Sequence, residues 1–182
     1  MPRPVWLVPV AMGVVIAQTN PTAKREGPYW TEISSGTLNA APRLKVGARG
    51  PVVIRGENRS DILYTVKRRV RARTQAEAER LFESVAVKTK TAGGVCYLVI
   101  LASNPAQVSS ELEIRAPRRL RLVSVENQGG AINGREFDGD FSADTNAGQV
   151  ILDRIAGSVT ARTGGGDVML GRVGGSARCL SG

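Results

Sequence analysis

The sharpest pattern of apolar and polar positions lies in the last third of the chain. Glycine stands at positions 130, 139, 148, 157, 166 and 175, nine residues apart each time. Two residues after each glycine comes Ile132, Phe141, Val150, Val159, Val168 or Ala177, and four after it Gly134, Ala143, Leu152, Ala161, Leu170 or Cys179. Val123 and Val125 continue both columns backwards. Seven after the glycine the series divides: Phe137, Ile155 and Val173 alternate with Asn146, Gly164 and Gly182. The unit is therefore eighteen residues built from two unlike nine-residue arms, each with room for a strand of about five residues and a turn. Stacking such units buries one continuous core.

Residues eighteen apart would then lie over one another. Asp144 falls over Arg162, Arg135 over Asp153 and Glu136 over Arg154, while Thr145, Thr163 and Ser181 make a hydroxyl column; Arg154 over Arg172 breaks the charge pattern. The expected fold is mainly β: a β-solenoid of stacked eighteen-residue rungs over 121–182, preceded by a small β-rich module with one helix. An antiparallel meander with the same spacing is the alternative. The series stops within a unit at Gly182, which predicts a truncated repeat or an end covered by another copy.

Before the repeat the pattern shortens. Thr37–Val46, Pro51–Arg55, Ile62–Ala72, Val85–Thr91, Val95–Ala102 and Glu111–Arg115 read as strands, with Gly93-Gly94 as a hairpin turn. From Tyr64 to Arg73 the chain alternates. Lys67, Arg69, Arg71 and Arg73 fall on one face, Tyr64, Val66, Val70 and Ala72 on the other, with Arg68 an exception. The basic face reads either as a solvated strand surface or as an anion-binding stripe; aromatic residues do not interleave it, so nucleic acid is not expected. Thr74-Gln75-Ala76-Glu77 has capping-box form and opens a helix over 75–84, with Ala78, Leu81, Phe82 and Val85 at helical spacing.

At the start, Arg3 precedes an apolar run from Val5 to Ala17, too short to span a bilayer comfortably and suited to a secretory signal. The expected organisation is a signal peptide over 1–17, cut after Ala17, a flexible leader over 18–36, the module over 37–120 and the repeat over 121–182. An uncleaved anchor is the alternative; after cleavage no membrane span is expected. Export places the protein in the periplasm, cell envelope or extracellular space. There an oxidising environment would permit a Cys96–Cys179 disulfide, two buried free thiols being the simpler expectation.

Composition narrows the chemistry. Aromatics make up 4% of the chain, so aliphatic residues must build the core. Net charge is +9, which favours anionic partners without choosing among them. The chain has no histidine, the commonest general base and metal ligand. The residues after the repeat glycines are acidic only at Asp140 and Asp167, which does not fit a calcium β-roll. Gly164-Gly165-Gly166 lacks the Lys-Ser/Thr of a phosphate loop. No cofactor is expected. Asp138, Asp140 and Asp144 are the one acidic group that a polysaccharide-cleaving β-helix could use, and surface charge explains them better.

The chain resembles the bacterial "putative adhesin" family of exported envelope proteins. Gly50-Pro51-Val52-Val53-Ile54-Arg55-Gly56 carries the likeness, with the basic strand ending Arg71-Ala72-Arg73, the helix Gln75–Glu83 and Leu112-Glu113-Ile114-Arg115-Ala116-Pro117. The Gly-x-Val-x-Leu series completes it, as in Gly148-Gln149-Val150-Ile151-Leu152 and Gly166-Asp167-Val168-Met169-Leu170. The resemblance implies an all-β repeat protein at the envelope, with adhesion as its role and no catalytic residues. The expected function is non-enzymatic binding or scaffolding, with an anionic envelope polymer or another copy as partner. A polysaccharide-active enzyme and a self-associating structural subunit are the rivals.

Overall fold

Alternating burial shapes the central strands. In Val108–Pro117 each second side chain is buried, and Val52–Glu57 and Val159–Thr163 follow the same rule. One face is solvated and the other meets a shared core. The computed structural model describes residues 23–102 and 106–182. The expected signal peptide, 1–17, lies outside them.

The strands in chain order are β1 (Lys24–Glu26), β2 (Tyr29–Asn39), β3 (Arg43–Ala48), β4 (Val52–Glu57) and β5 (Asp61–Arg71). Helix α1 (Gln75–Glu83) follows, then β6 (Val85–Ala92), β7 (Val95–Ala102), β8 (Val108–Pro117) and β9 (Leu122–Asn127). The last third holds β10 (Ile132–Phe137), β11 (Asp140–Thr145), β12 (Val150–Ile155), β13 (Val159–Thr163), β14 (Val168–Leu170) and β15 (Ala177–Ser181). They form two sheets, β1-β2-β5-β8-β4-β10-β12-β14 and β15-β13-β11-β9-β3-β7-β6. Neither sheet closes on itself.

Both sheets are mixed. Parallel strands occupy one side: Ile132 pairs with Val150, and Val150 with Val168, in the first sheet; Phe141 pairs with Val159, and Val159 with Ala177, in the second. The offset is the eighteen residues read from the sequence. Towards the other side pairing turns antiparallel, at β5–β8, β2–β5 and β1–β2 in one sheet and β6–β7 in the other. The stacking expected over 121–182 therefore does not describe either sheet as a whole. Parallel pairing also crosses the expected boundary at residue 120, because β3 lies against β9 and β4 against β10.

The two arms differ for a physical reason. Gly148 has φ +122°, a backbone conformation that side chains disfavour, and a Cβ there would strike the backbone of Gly130. Gly157, in the other arm, has no such φ; its place is set by close approach to the backbone of Gly139. The turn carbonyls are satisfied from the strand ends. Thr145 Oγ1 donates to Gly130 O (3.1 Å), Thr163 Oγ1 to Gly148 O (2.9 Å) and Ser181 Oγ to Gly166 O (3.0 Å). Asn127 Nδ2 does the same for Gly50 O (2.9 Å). The hydroxyl column is thus a ladder that holds one arm's end to the next turn.

Three expectations are corrected. Residues 24–36, read as leader, form β1 and most of β2; Trp30, Thr31 and Glu32 are buried there, so the polar run hides an inward face. The run Thr37–Val46 is two strands, broken over 40–42 around Pro42, whose missing N–H cannot continue a ladder. Cys96 is buried and donates to Asn39 O (3.0 Å), whereas Cys179 is exposed on the edge strand β15; both are free.

The core is one aliphatic cluster between the sheets with three phenylalanines, Phe82, Phe137 and Phe141, fully buried. Gly134 belongs to the column of Leu152 and Leu170. A side chain there would occupy the space taken by the Phe141 ring and the Leu152 methyl. Gly134 with Phe141 and Leu152 with Val159 are two ways to fill the same layer. Gly134→Leu alone should cost about 1–3 kcal/mol by overpacking, and Phe141→Val alone about 2 kcal/mol or more through a cavity. Together they copy the neighbouring layer, so denaturant unfolding should show a double mutant at least about 1 kcal/mol more stable than the summed losses predict. Simple additivity would refute the pairing.

Candidate functional site

Strand β5 runs between β2 and β8 and so presents a two-sided surface in mid-sheet. Lys67, Arg69 and Arg71 stand on its solvent face, all exposed, and same-face side chains on a strand recur at about 6.7 Å. Arg73 is exposed just beyond the strand, its backbone N–H donating to Glu77 Oε2 (2.9 Å) as part of the cap of α1. The structure therefore gathers three of the four expected residues on one face and puts the fourth at the helix entrance, where Thr74 Oγ1 accepts from Glu77 N (3.2 Å).

The surroundings of the stripe include residues that were not read from the sequence. The Arg69 guanidinium sits 4.0 Å from the centre of the Tyr29 ring, close enough for cation–π attraction. Ser109 Oγ donates to Arg69 O (3.2 Å). Tyr29, Arg69, Arg71, Val108 and Ser109 help to line a shallow hollow of about 440 Å³. Tyr29 comes from β2, thirty-odd residues before the stripe, so only strand pairing could reveal it; Arg71 faces it in register.

A second basic group lies farther along the same sheet. Arg115, Arg55 and Arg135 are side by side on β8, β4 and β10. Arg55 and Arg115 are neutralised, whereas Arg135 has no ion-pair partner among the described residues and its Nε is buried without an acceptor. Arg55 Nε donates to Glu136 Oε2 (2.7 Å), Arg154 reaches the other oxygen of Glu136 (2.9 Å) and Arg115 reaches Glu113 (3.3 Å). The hydrogen bond from Arg55 is the main cause holding the Glu136 carboxyl below its ordinary range. By contrast, among the described residues no carboxylate lies within ion-pair distance of Lys67, Arg69, Arg71 or Arg73.

Two of the acidic trio have other partners, and the third stands opposite an arginine. Arg118 Nη2 binds Asp138 Oδ1 (2.9 Å), Asp140 Oδ1 accepts from Ser158 N (2.8 Å), and Asp144 lies in register with Arg162. Among the described residues no group of three or more His, Cys, Asp or Glu side chains is arranged to hold a metal ion, and no helix is long and apolar enough to cross a membrane.

Arg68, the exception in the alternation, points inward. It lies 3.1 Å from Glu32 Oε2, donates to Ser34 Oγ (2.8 Å), and reaches Phe82 O and Val85 O (both 3.3 Å) at the end of α1. A buried cation here ties β5 to β2 and to the carbonyls where α1 passes into β6.

No family model matches the chain, and no curated protein matches it. Solved structures that are similar include a "putative cell adhesion protein" from Clostridium sporogenes ATCC 15579, 8% identical, with TM-score 0.45 over 82% of this chain and 100% of that one. A "putative lipid binding protein" from Parabacteroides distasonis ATCC 8503 is 11% identical, with TM-score 0.33 over 83% of this chain and 94% of that one. A "putative adhesin" from Bacteroides fragilis NCTC 9343 is 9% identical, with TM-score 0.30 over 82% of this chain and 96% of that one.

Burial raises the Glu32 carboxyl above its ordinary range, against the opposing pull of Arg68. Because the shift is upward, protonation of Glu32 favours the folded state. That contribution is complete below the ordinary glutamate value and is lost as pH rises through the raised one. Denaturant midpoints of the wild type and of Glu32→Gln, measured in steps from pH 4 to 7, should differ by an amount that changes across this window and levels off at its ends. A constant difference would contradict the burial argument. Arg68→Met, which strands the buried Glu32 charge, should cost about 3–5 kcal/mol at pH 7.

Proposed function

We propose that this is a non-enzymatic, exported cell-envelope or surface protein with an adhesin-like binding role, in which a β-solenoid frame presents flat sheet faces to an anionic envelope polymer. The parallel strands offset by eighteen residues support reading the repeat as a solenoid, with the antiparallel strands and α1 finishing one end. The observation that carries the binding role is the unpaired basic stripe. Lys67, Arg69 and Arg71 stand in line with no carboxylate within ion-pair distance among the described residues, Glu111 facing Lys67 across the ladder without reaching it, while Arg55 and Arg115 of the same sheet are paired. Charges in line at about 6.7 Å suit a linear polyanion better than a single small anion. The absence of histidine and the engagement of Asp138 and Asp140 in other contacts favour binding over glycan cleavage.

The test uses the purified chain with dextran sulfate and with uncharged dextran, at 0.05 M and 0.5 M salt. Dextran sulfate should be retained at low salt and released at high salt, uncharged dextran should not be held by the stripe, and Lys67→Glu/Arg69→Glu/Arg71→Glu should lose about tenfold or more in apparent affinity. Binding that is insensitive to salt, or unchanged in the triple variant, would overturn the assignment.

A further inference from the structure

The second sheet carries a groove on its outer face that none of this uses. Its floor is Gly47 of β3. In the row across the sheet, Val99, Gly47, Glu126, Asp144 and Arg162 lie side by side, and only Gly47 lacks a side chain. A Cβ at Gly47 would come 3.2 Å from a Val99 methyl, so a side chain here would narrow the notch. Pairing of β3 with β7 ends at Gly47–Val99, and beyond it β7 overhangs as a step carrying Leu101. The resulting open groove has a volume of about 480 Å³.

Its two sides differ in chemistry. One is an apolar rail of Tyr97, Val99 and Leu101, with Tyr97 36% and Leu101 44% exposed. The other is polar, with Glu126, Gln128, Asp144 and Asn146. Lys45 closes one end and is held to Glu126 at 2.7 Å, so its charge is already matched. Asp144 is then the one charge of the lining without an ion pair among the described residues, so the groove carries no excess of positive charge in a strongly basic protein.

We infer that this groove binds a neutral oligosaccharide. An exposed tyrosine ring offers a surface to the apolar face of a sugar, while the carboxylates and amides opposite it accept from and donate to hydroxyls. A polyanion would meet Glu126 and Asp144, and a cation would meet exposed Lys88 and Lys90 on the flanking β6. An acyl chain would leave the polar side unsatisfied. An added peptide strand would find only the three residues Ile100–Ala102 unpaired by β3, shorter than strand addition needs.

The experiment applies the purified chain to an array of neutral and acidic oligosaccharides. The strongest neutral tetrasaccharide is then titrated by NMR at 0.05 M and 0.5 M salt. Neutral glycans should bind, with little change between the two salt concentrations. Tyr97→Ala, an exposed change that leaves the core intact, should weaken binding about tenfold, and Gly47→Thr should abolish it by filling the notch. The triple charge reversal on β5 should leave it unchanged, which separates this site from the stripe. Binding to acidic glycans alone, to no glycan, or equally well in Tyr97→Ala would overturn the inference.

Discussion

The close stacking of turn backbones is the constraint on which the rest of this structure depends. Parallel strands must follow each other at about 4.8 Å, and the turns that join the two sheets must stack at the same spacing. No side chain fits between backbones at that distance. Gly148 over Gly130 and Gly157 over Gly139 meet this requirement in different ways, the first through a left-handed φ and the second through contact alone. Such tight turns leave carbonyls out of the strand ladder. Asn127, Thr145, Thr163 and Ser181 supply the missing donors from inside, and a buried carbonyl without one would cost about 1–3 kcal/mol.

Away from these turns the same core is finished by other means. The antiparallel strands β2, β5 and β6 need no stacked turns, and α1 lies against all three. Arg68 makes the junction. Its guanidinium gathers Glu32, Ser34 and the carbonyls of Phe82 and Val85 at one point. A buried ion pair adds little net stability, but it tolerates no loss of either partner. It therefore fixes how the helix sits on the sheet more than how firmly.

With the interior taken up by packing, chemistry is left to the outer faces. On one face the charges differ in their partners: Arg55 on β4 and Arg115 on β8 meet carboxylates, and Lys67, Arg69 and Arg71 on β5 have none within ion-pair distance among the described residues. On the other, a single glycine opens a notch beside a tyrosine. Both are features of rows that run across strands, not of motifs along the chain.

That distinction separates what the sequence by itself determined from what only the tertiary structure decided. The eighteen-residue register, the cap of α1 and the alternation of β5 are local or periodic, and a period survives in one dimension because each unit repeats the same packing problem. Three features were not legible. The buried face of β2 is hidden in a polar run, since the partner of Glu32, Arg68, lies far off in sequence. The mixed pairing depends on which strands meet, which composition does not encode. Tyr29 beside Arg69, and Gly47 beside Tyr97, are neighbours only across a sheet. Side chains on one strand declare which face they occupy, but the residue opposite each of them is chosen by strand order, and strand order is set by burial of the whole core.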